Sequence, residues 1–214
     1  MINNISDIKY VFYINLQSRP DRKKHVEKQL QNIGINSDVY RRFNAVQLAN
    51  GAIGCSLSHL HCLQIAKREN LSHIMIVEDD IHFKDANIFK TQFNRLLHTQ
   101  HNWDAVLLAG NNVGPYQILS DCAVHVSQCQ TTTGYLVKSD YFDTLIENYR
   151  AGIKLLMENP QLHSSFAIDK YWFKLQMKDL WLLVYPLVVT QLDNYSDILK
   201  RFISYDSLML RLDK

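Results

Sequence analysis

Glycine is scarce in this chain, with seven residues among 214. Those seven form neither a P-loop nor the glycine-rich turn of a dinucleotide-binding motif, so both of these phosphate-binding loops are excluded. No apolar run approaches the roughly 20 residues that a membrane-spanning helix needs. The opening residues, MINNISDIKY, lack a basic region followed by an apolar block, which argues against a secretory signal.

An excess of charge of one sign is also missing. The 23 Lys and Arg residues nearly balance 21 Asp and Glu, for a formal net charge of +2. This balance gives no electrostatic reason to expect nucleic-acid binding. Cysteine is rare as well, and in a chain without a signal the four cysteines indicate reduced thiols and a cytoplasmic location.

Three residues need a test as zinc ligands, because Cys55, His59 and Cys62 would share one face of a helix. Structural zinc sites usually contain ligand pairs separated by about two to four residues, and the chain has no such cysteine pair. Buried apolar thiols are therefore the favoured interpretation of the cysteines.

Strand and helix patterns alternate over the first half of the chain. Apolar, β-branched runs at 9–16, 38–43, 73–79 and 103–110 are typical of strands, and amphipathic patterns at 18–34, 51–70 and 86–100 are typical of helices. The alternation predicts an α/β protein with a largely parallel sheet, in one domain. In the second half we expect strands at 122–126, 131–137 and 180–186, helices at 139–158 and 165–178, and an amphipathic tail at 198–212 that packs on the body.

The stretch IMIVEDDI, residues 74–81, ends an apolar strand with three carboxylates. Two carboxylates about 5 Å apart repel by roughly 3 kcal/mol, so water, a retained proton or a cation must relieve the repulsion. Strand alternation sends Glu78 and Asp80 to one side, and such a pair of hard oxygen ligands suits Mg²⁺ or Mn²⁺. For a lone acidic triplet, however, a solvated acidic turn is the favoured alternative.

The acidic pocket of a response-regulator receiver domain is a poor interpretation of the same triplet. In such a domain the acidic pair ends the first strand, whereas two strands and two helices precede it here. A later strand should also end in a phosphoacceptor Asp, but the run at 103–110 ends in Ala-Gly.

Three motifs occur in the order and spacing of glycosyltransferase family 25, which includes lipooligosaccharide and collagen galactosyltransferases. They are YINLQSRPDR (13–22), GAIGCSLSHLHCL (51–63) and IMIVEDDI. TTTGYLV, AIDKYW and QLDNYSDI resemble later family segments, so the likeness covers about residues 10–197. Ala52 departs from the pattern, because the family often has an acidic residue there.

The resemblance implies a GT-A type glycosyltransferase fold, a single mostly parallel mixed sheet flanked by helices. The whole chain, 1–214, would be one domain with a nucleotide-binding half at about 1–110 and an acceptor half at about 111–214. The resemblance also implies a cofactor, Mn²⁺ or Mg²⁺, and transfer with inversion of a hexose, galactose or glucose, from a UDP-sugar to a glycan or hydroxylysine-type acceptor.

Roles for individual residues follow from the same resemblance. The acidic triplet would stand in for the Asp-x-Asp signature, with Asp80 as the main metal ligand and Glu78 and Asp197 as further metal ligands. Asp169, at the start of a helix and therefore expected to keep a low pKa, would be the general base. Contacts to the nucleotide-sugar are expected from Asn15, Leu16, Arg19, Arg22, Ala45, Glu78, Asp79, Thr133 and Gly134.

Each of these roles has a plainer alternative. Arg19 and Arg22 are also explained as solvated helix charges, and Asp169 as a carboxylate stabilised by a helix N-terminus. For the whole chain the alternatives are an inactive binding module with the same fold and a phosphoryl- or nucleotidyl-transferring enzyme. The second of these would share the metal and nucleotide but not the motif at 51–63.

Overall fold

The structure is a computed structural model that describes residues 2–196 and 201–213. All seven strands and helices expected between residues 9 and 110 are present. In chain order this half contains β1 Val11–Asn15, α1 Pro20–Asn32, β2 Tyr40–Asn44, α2 Gly51–Arg68, β3 His73–Glu78, β4 Ile81–Phe83, α3 Ala86–Thr99 and β5 Ala105–Leu107. The short strand β4, directly after the acidic triplet, was not predicted.

The second half has more, shorter elements than the sequence patterns predict. It contains β6 Asn111–Asn112, β7 Tyr116–Ile118, β8 Ala123–Val126, β9 Cys129–Gln130, β10 Gly134–Lys138, α4 Phe142–Glu158, α5 His163–Phe166, α6 Ile168–Tyr171, α7 Phe173–Gln176, β11 Trp181–Val184, β12 Val189–Gln191, β13 Asn194–Ser196, β14 Arg201–Ile203 and α8 Asp206–Met209.

The continuous helix predicted at 165–178 is wrong, because this region forms the three single-turn helices α5, α6 and α7. Ala167, between α5 and α6, has ψ 146° and so interrupts the helix. The turns let Trp172 and Gln176 point into the core, where both side chains donate to the carbonyl of Cys129 at 2.9 Å. Tertiary hydrogen bonds have therefore overridden the helical pattern. The tail does pack on the body, since Met209 in α8 is buried, although residues 198–200 lie outside the described part.

Eight strands form one sheet in the order β2-β1-β3-β10-β5-β11-β8-β7. Strands β10 and β8 run antiparallel to their neighbours, and the other six run in one direction. The predicted mostly parallel mixed sheet is confirmed. The carboxyl ends of β2, β1 and β3 therefore meet at one edge, where an open α/β sheet binds ligands.

Helices cover both faces of this sheet. Side chains of β1 and β3 alternate between the faces, so that Val11 and Met75 pack with α1 and α3 while Phe12 and Ile74 pack with α2 and α4. Each large apolar side chain buried in these two layers contributes about 1.5–3 kcal/mol. Among residues 2–196 and 201–213, no helix combines the length and apolar character needed to cross a membrane.

Candidate active site

The acidic triplet forms a tight connection between β3 and β4 at the carboxyl edge of the sheet. The backbone N–H of Glu78 donates to the carbonyl of Thr133 (2.9 Å), just before β10 begins. On the other side, the carbonyl of Asp80 accepts from the N–H of Leu192 (2.7 Å), just after β12. Two distant parts of the chain thus fix the acidic turn in place.

Asp79 faces β1 and α1. Its Oδ2 accepts from Nδ2 of Asn15 at 2.7 Å, and its Oδ1 lies 3.2 Å from Nη1 of Arg22. The same Nη1 lies 3.5 Å from Oδ2 of Asp80. Arg22 reaches these carboxylates because Pro20 begins α1 shortly after β1 ends, so its first turn stands at the same sheet edge. One guanidinium therefore serves two carboxylates.

Glu78 faces the other way, toward α2. Three donors converge on its Oε1: the hydroxyl of Thr132 at 2.7 Å, Nε2 of His59 at 3.3 Å and the thiol of Cys55 at 3.3 Å. Its Oε2 accepts from Nε2 of Gln191 at 3.2 Å, and that nitrogen also lies 3.4 Å from Oδ1 of Asp80. Gln191 therefore links Glu78 and Asp80, which the sequence predicted to share one side.

Burial and neighbouring groups shift the pKa values of the three carboxylates in different directions. Burial, followed by the charges of Glu78 and Asp79, raises the pKa of Asp80 to about 8. Burial also raises the pKa of Asp79, although Asn15 and Arg22 oppose the shift. For Glu78, burial would raise the pKa, but the hydrogen bond and charge of His59 and the hydroxyl of Thr132 outweigh it, and the pKa is lowered. Arg22 therefore does not offset the mutual repulsion of Asp79 and Asp80, and hard oxygen donors in such a cluster fit a divalent cation.

A pocket of about 390 Å³ opens in front of this turn. That volume lies within the range of roughly 300–1,000 Å³ that is usual for small-molecule sites. Seven predicted site residues line it: Leu16, Arg19, Arg22, Ala45, Glu78, Asp79 and Asp80. The N-terminus of α1, the loop after β2 and the acidic turn thus surround one space.

Close packing of α2 against the loop after β2 shapes the pocket wall. A Cβ on Gly54 would lie 2.4 Å from the carbonyl oxygen of Val46, so only glycine allows this approach. Ser58, four residues later, accepts from the N–H of Val46 at 2.9 Å. These contacts hold the 45–49 loop beside the acidic turn.

Three predicted nucleotide-sugar contacts do not line the pocket. Asn15 is buried behind Asp79, where its amide also donates to the carbonyl of Arg19 at 3.0 Å. Thr133 is buried and donates to the hydroxyl of Thr131 at 3.2 Å. A Cβ on Gly134 would lie 3.0 Å from Cδ1 of Ile81, so packing accounts for this glycine.

Asp169 lies in α6 and fixes the backbone of Thr131, the neighbour of the residue that hydrogen-bonds to Glu78. Its Oδ2 accepts from the N–H of Thr131 at 3.1 Å. Thr131 has φ 80°, a left-handed conformation that is unfavourable for a β-branched residue, and the next residue is Thr132 with its bond to Glu78. Burial raises the pKa of Asp169, so the low pKa expected of a carboxylate at a helix start is wrong. Desolvation exceeds the weak dipole of this four-residue helix.

Asp193 and Asp197 are the acidic residues near the C-terminal end of the predicted site. Asp197 lies outside the described residues. Asp193 is exposed, and its carboxylate accepts from the hydroxyl of Ser204 at 3.1 Å and the N–H of Tyr205 at 3.2 Å. Tyr205 lines the pocket, so Asp193 helps to place a wall residue.

Sequence reasoning missed Gln191 and the thiol of Cys55 as parts of the site. Gln191 reaches the acidic turn because β12 pairs antiparallel with β4, opposite Ile81. Its one sequence signal was its place at the start of QLDNYSDI. The expectation for Cys55 was a buried apolar thiol, but it lines the pocket and contacts Glu78.

Comparison with known proteins identifies a family that the chain matches. The profile of a family described as "Glycosyltransferase family 25 (LPS biosynthesis protein)" matches residues 36–158. A "Glycosyltransferase 25 family member" of Drosophila melanogaster is 23% identical in an alignment of 193 residues that covers 75% of this chain and 29% of that protein. The human "Inactive glycosyltransferase 25 family member 3" is 23% identical in an alignment of 190 residues that covers 75% of this chain and 30% of that protein. The chain thus spans less than a third of either relative.

Among solved structures, a mannose-1-phosphate geranyltransferase from Thermus thermophilus superposes with a TM-score of 0.51 at 8% sequence identity. The match covers 83% of this chain and 73% of that protein. At such identity the likeness concerns the fold alone. It supports the predicted GT-A type architecture.

Proposed function

The chain belongs to glycosyltransferase family 25, and from this premise we propose that it transfers a hexose, galactose or glucose, from a UDP-sugar to a hydroxyl group of a glycan or protein acceptor. One observation carries the proposal. Three carboxylates and two arginines meet around a pocket at the carboxyl edge of the sheet. A nucleoside diphosphate needs cationic partners there, and the carboxylates can accommodate it only through a bridging cation.

The donor would lie with its diphosphate between the first turn of α1 and the acidic turn. Arg19 and Arg22 line this side of the pocket, and a guanidinium matches the geometry of phosphate oxygens. Leu16 and Ala45 line the wall that follows β1 and β2, where the nucleoside would pack. Asn15 and Gly134 would support the site from behind, through Asp79 and through close packing against Ile81.

Asp80, with Glu78 beside it, would hold Mn²⁺ or Mg²⁺. The pKa of Asp80 is raised by burial and by its two acidic neighbours, which marks it as the carboxylate whose charge is least compensated. A divalent cation in such a site supplies stabilisation of the charge that develops on a leaving diphosphate. Gln191 keeps the two carboxylates facing the same space.

Asp169 is the proposed general base. In an inverting transfer the acceptor oxygen forms a bond to the anomeric carbon, the bond from that carbon to the diphosphate breaks, and the base takes the hydroxyl proton. The raised pKa of Asp169 makes it a stronger base than an ordinary carboxylate. Its Oδ2 already accepts from Thr131, which fixes the orientation of the carboxylate.

A second function, an inactive binding module, has a specific observation in its favour. One relative of similar identity carries the word "inactive" in its name. Such a module would keep a pocket but turn over no donor. Binding and turnover must therefore be measured separately.

Calorimetry with UDP, with and without Mn²⁺, tests the binding half of the proposal. We expect UDP to bind in a Mn²⁺-dependent manner and Asp80→Asn to lose that dependence while remaining folded. Asp121→Asn is a matched control, because Asp121 is 64% exposed and pairs with Arg95 on the surface. Equal UDP affinity in Asp80→Asn and Asp121→Asn would contradict the metal site.

A further inference from the structure

Three potential metal ligands converge beside the acidic turn, and only Glu78 belongs to the turn itself. The Sγ of Cys55, Nε2 of His59 and one carboxylate oxygen of Glu78 all lie within 4.8 Å of one another. Cys55 and His59 are four residues apart on α2, so both side chains project from one helix face toward the end of β3. The zinc grouping considered from the sequence, with Cys62, does not form, because Cys62 is fully buried in the apolar core.

Two of the three separations suit a tetrahedral ion, and the third, between the ligand atoms of Cys55 and His59, is at most 4.8 Å. Ligand atoms that bind zinc at about 2.0–2.3 Å in tetrahedral geometry lie roughly 3.3–3.8 Å from one another. The Oε1 of Glu78 is 3.3 Å from both the sulfur of Cys55 and Nε2 of His59. An ion could therefore take the place of the protons that now lie between these atoms.

The surroundings resemble the outer shell of a metal site. The Nδ1 of His59 lies 3.1 Å from the hydroxyl of Tyr135, which fixes the ring and leaves Nε2 for Glu78. A metal-binding histidine is commonly oriented through its second nitrogen in this way. Thr132 orients Oε1 of Glu78 at 2.7 Å. His59 is fully buried, but Cys55 and Glu78 line the pocket, which gives an ion a path.

We propose that Cys55, His59 and Glu78 form a second cation site, specific for a thiophilic divalent cation of the Zn²⁺ class. A thiolate and an imidazole select zinc or cobalt, whereas the all-oxygen acidic turn suits Mn²⁺ or Mg²⁺. On binding, the thiol proton of Cys55 and the Nε2 proton of His59 go to solvent, and Nδ1 of His59 takes up one proton from solvent, so that the ring binds as the neutral tautomer with its N–H directed at the hydroxyl of Tyr135. The thiolate and the carboxylate then balance the charge of the ion.

This site does not depend on the proposed transferase activity, although it borders the same pocket through Glu78. Its fourth coordination position would face the pocket, open to water or to a ligand atom. Zinc and the donor would consequently occupy neighbouring positions. The alternative is that the same atoms form only a hydrogen-bonded network.

Titration with Co²⁺ distinguishes a cation site from a hydrogen-bonded network, because a thiolate bound to tetrahedral Co²⁺ gives a charge-transfer absorption in the near ultraviolet. We expect the wild-type protein to show this band on titration with Co²⁺ and to lose it when Zn²⁺ is added. Cys55→Ser keeps a hydrogen-bond donor toward Glu78 but removes the thiolate, so it should abolish the band. Cys62→Ala removes a buried thiol on the same helix and should retain it.

The outcomes separate this site from the acidic turn. Asp80→Asn should keep the cobalt–thiolate band while losing Mn²⁺-dependent UDP binding, so failure of one site is visible independently of the other. Absence of the band in wild-type protein that is folded by circular dichroism would overturn the proposal. An unchanged band in Cys55→Ser would overturn it as well, because a different thiol would then be the ligand.

Discussion

Replacing Arg22 by methionine removes the guanidinium that lies between two carboxylates while keeping a long side chain. Nη1 of Arg22 is 3.2 Å from Asp79 and 3.5 Å from Asp80, and the three side chains are 13%, 10% and 16% exposed. At an effective dielectric constant of about 20, one such pair attracts by about 5 kcal/mol before desolvation is deducted. Breaking a largely buried pair typically destabilises a protein by about 3–5 kcal/mol, so we expect a loss of about 3 kcal/mol at alkaline pH.

The loss should depend on pH in a defined direction. Burial raises the pKa of Asp79 and raises that of Asp80 to about 8, so protons progressively neutralise both carboxylates as the pH falls. A neutral carboxyl gains little from Arg22. The destabilisation of Arg22→Met should therefore be greatest above about pH 8 and distinctly smaller near pH 5, where Asp80 is protonated.

Urea unfolding of metal-free protein, followed by circular dichroism at both pH values, measures this difference. Arg95→Met is the matched control, because Arg95 pairs with Asp121 at 2.8 Å while both side chains are at least half exposed. An exposed pair of that kind contributes about 0–1 kcal/mol. If Arg22→Met lost no more stability than Arg95→Met, or lost the same amount at both pH values, the electrostatic account of the acidic turn would be refuted.

Four further outcomes follow from the same geometry. The folded state raises the pKa of Asp80 from 3.8 to about 8, so the free energy of unfolding of the metal-free protein should fall as the pH rises across that window. Because Mn²⁺ must displace the Asp80 proton, its affinity measured by calorimetry should weaken roughly tenfold per pH unit below about pH 7. A flat affinity profile would contradict this. Gly54→Ala should lower the free energy of unfolding by about 1–3 kcal/mol, since its Cβ would meet the Val46 carbonyl at 2.4 Å, and an unchanged melting temperature would show that the loop yields. Asp169→Asn should leave UDP affinity unchanged and reduce turnover by a factor of roughly 10²–10⁴. Near-normal turnover would exclude Asp169 as the base. Lost UDP affinity would instead make Asp169 a structural residue or a ligand of the donor.

The part of the site built from consecutive strand–helix units could be predicted from the sequence. Glu78, Asp79 and Asp80 follow a buried strand, and Arg22 follows another within one helical turn. Since parallel strands share a carboxyl edge, their meeting required only the α/β pattern. His59, buried on α2, contacts Glu78 at the end of β3 and so links this helix to the strand that carries the acidic turn.

The rest of the site depends on pairings between distant segments. Strand β10 inserts antiparallel between β3 and β5 and brings Thr132 to Glu78, and β12 pairs with β4 and brings Gln191. Neither pairing has a local signal, because periodicity defines a strand but not its neighbour. The sign of the pKa shift of Asp169 was missed for a related reason, since desolvation depends on tertiary packing.

The proposal that this protein catalyses metal-dependent hexosyl transfer is tested most directly by measuring UDP release from UDP-galactose and UDP-glucose. The release is measured with and without Mn²⁺, and with candidate glycan and hydroxylysine acceptors. We predict release that requires Mn²⁺, is faster with an accepted acceptor, and disappears in Asp80→Asn but not in Asp121→Asn. Folded wild-type protein that binds UDP with Mn²⁺ yet releases none from either donor, with or without an acceptor, would contradict the transferase and favour the inactive binding module.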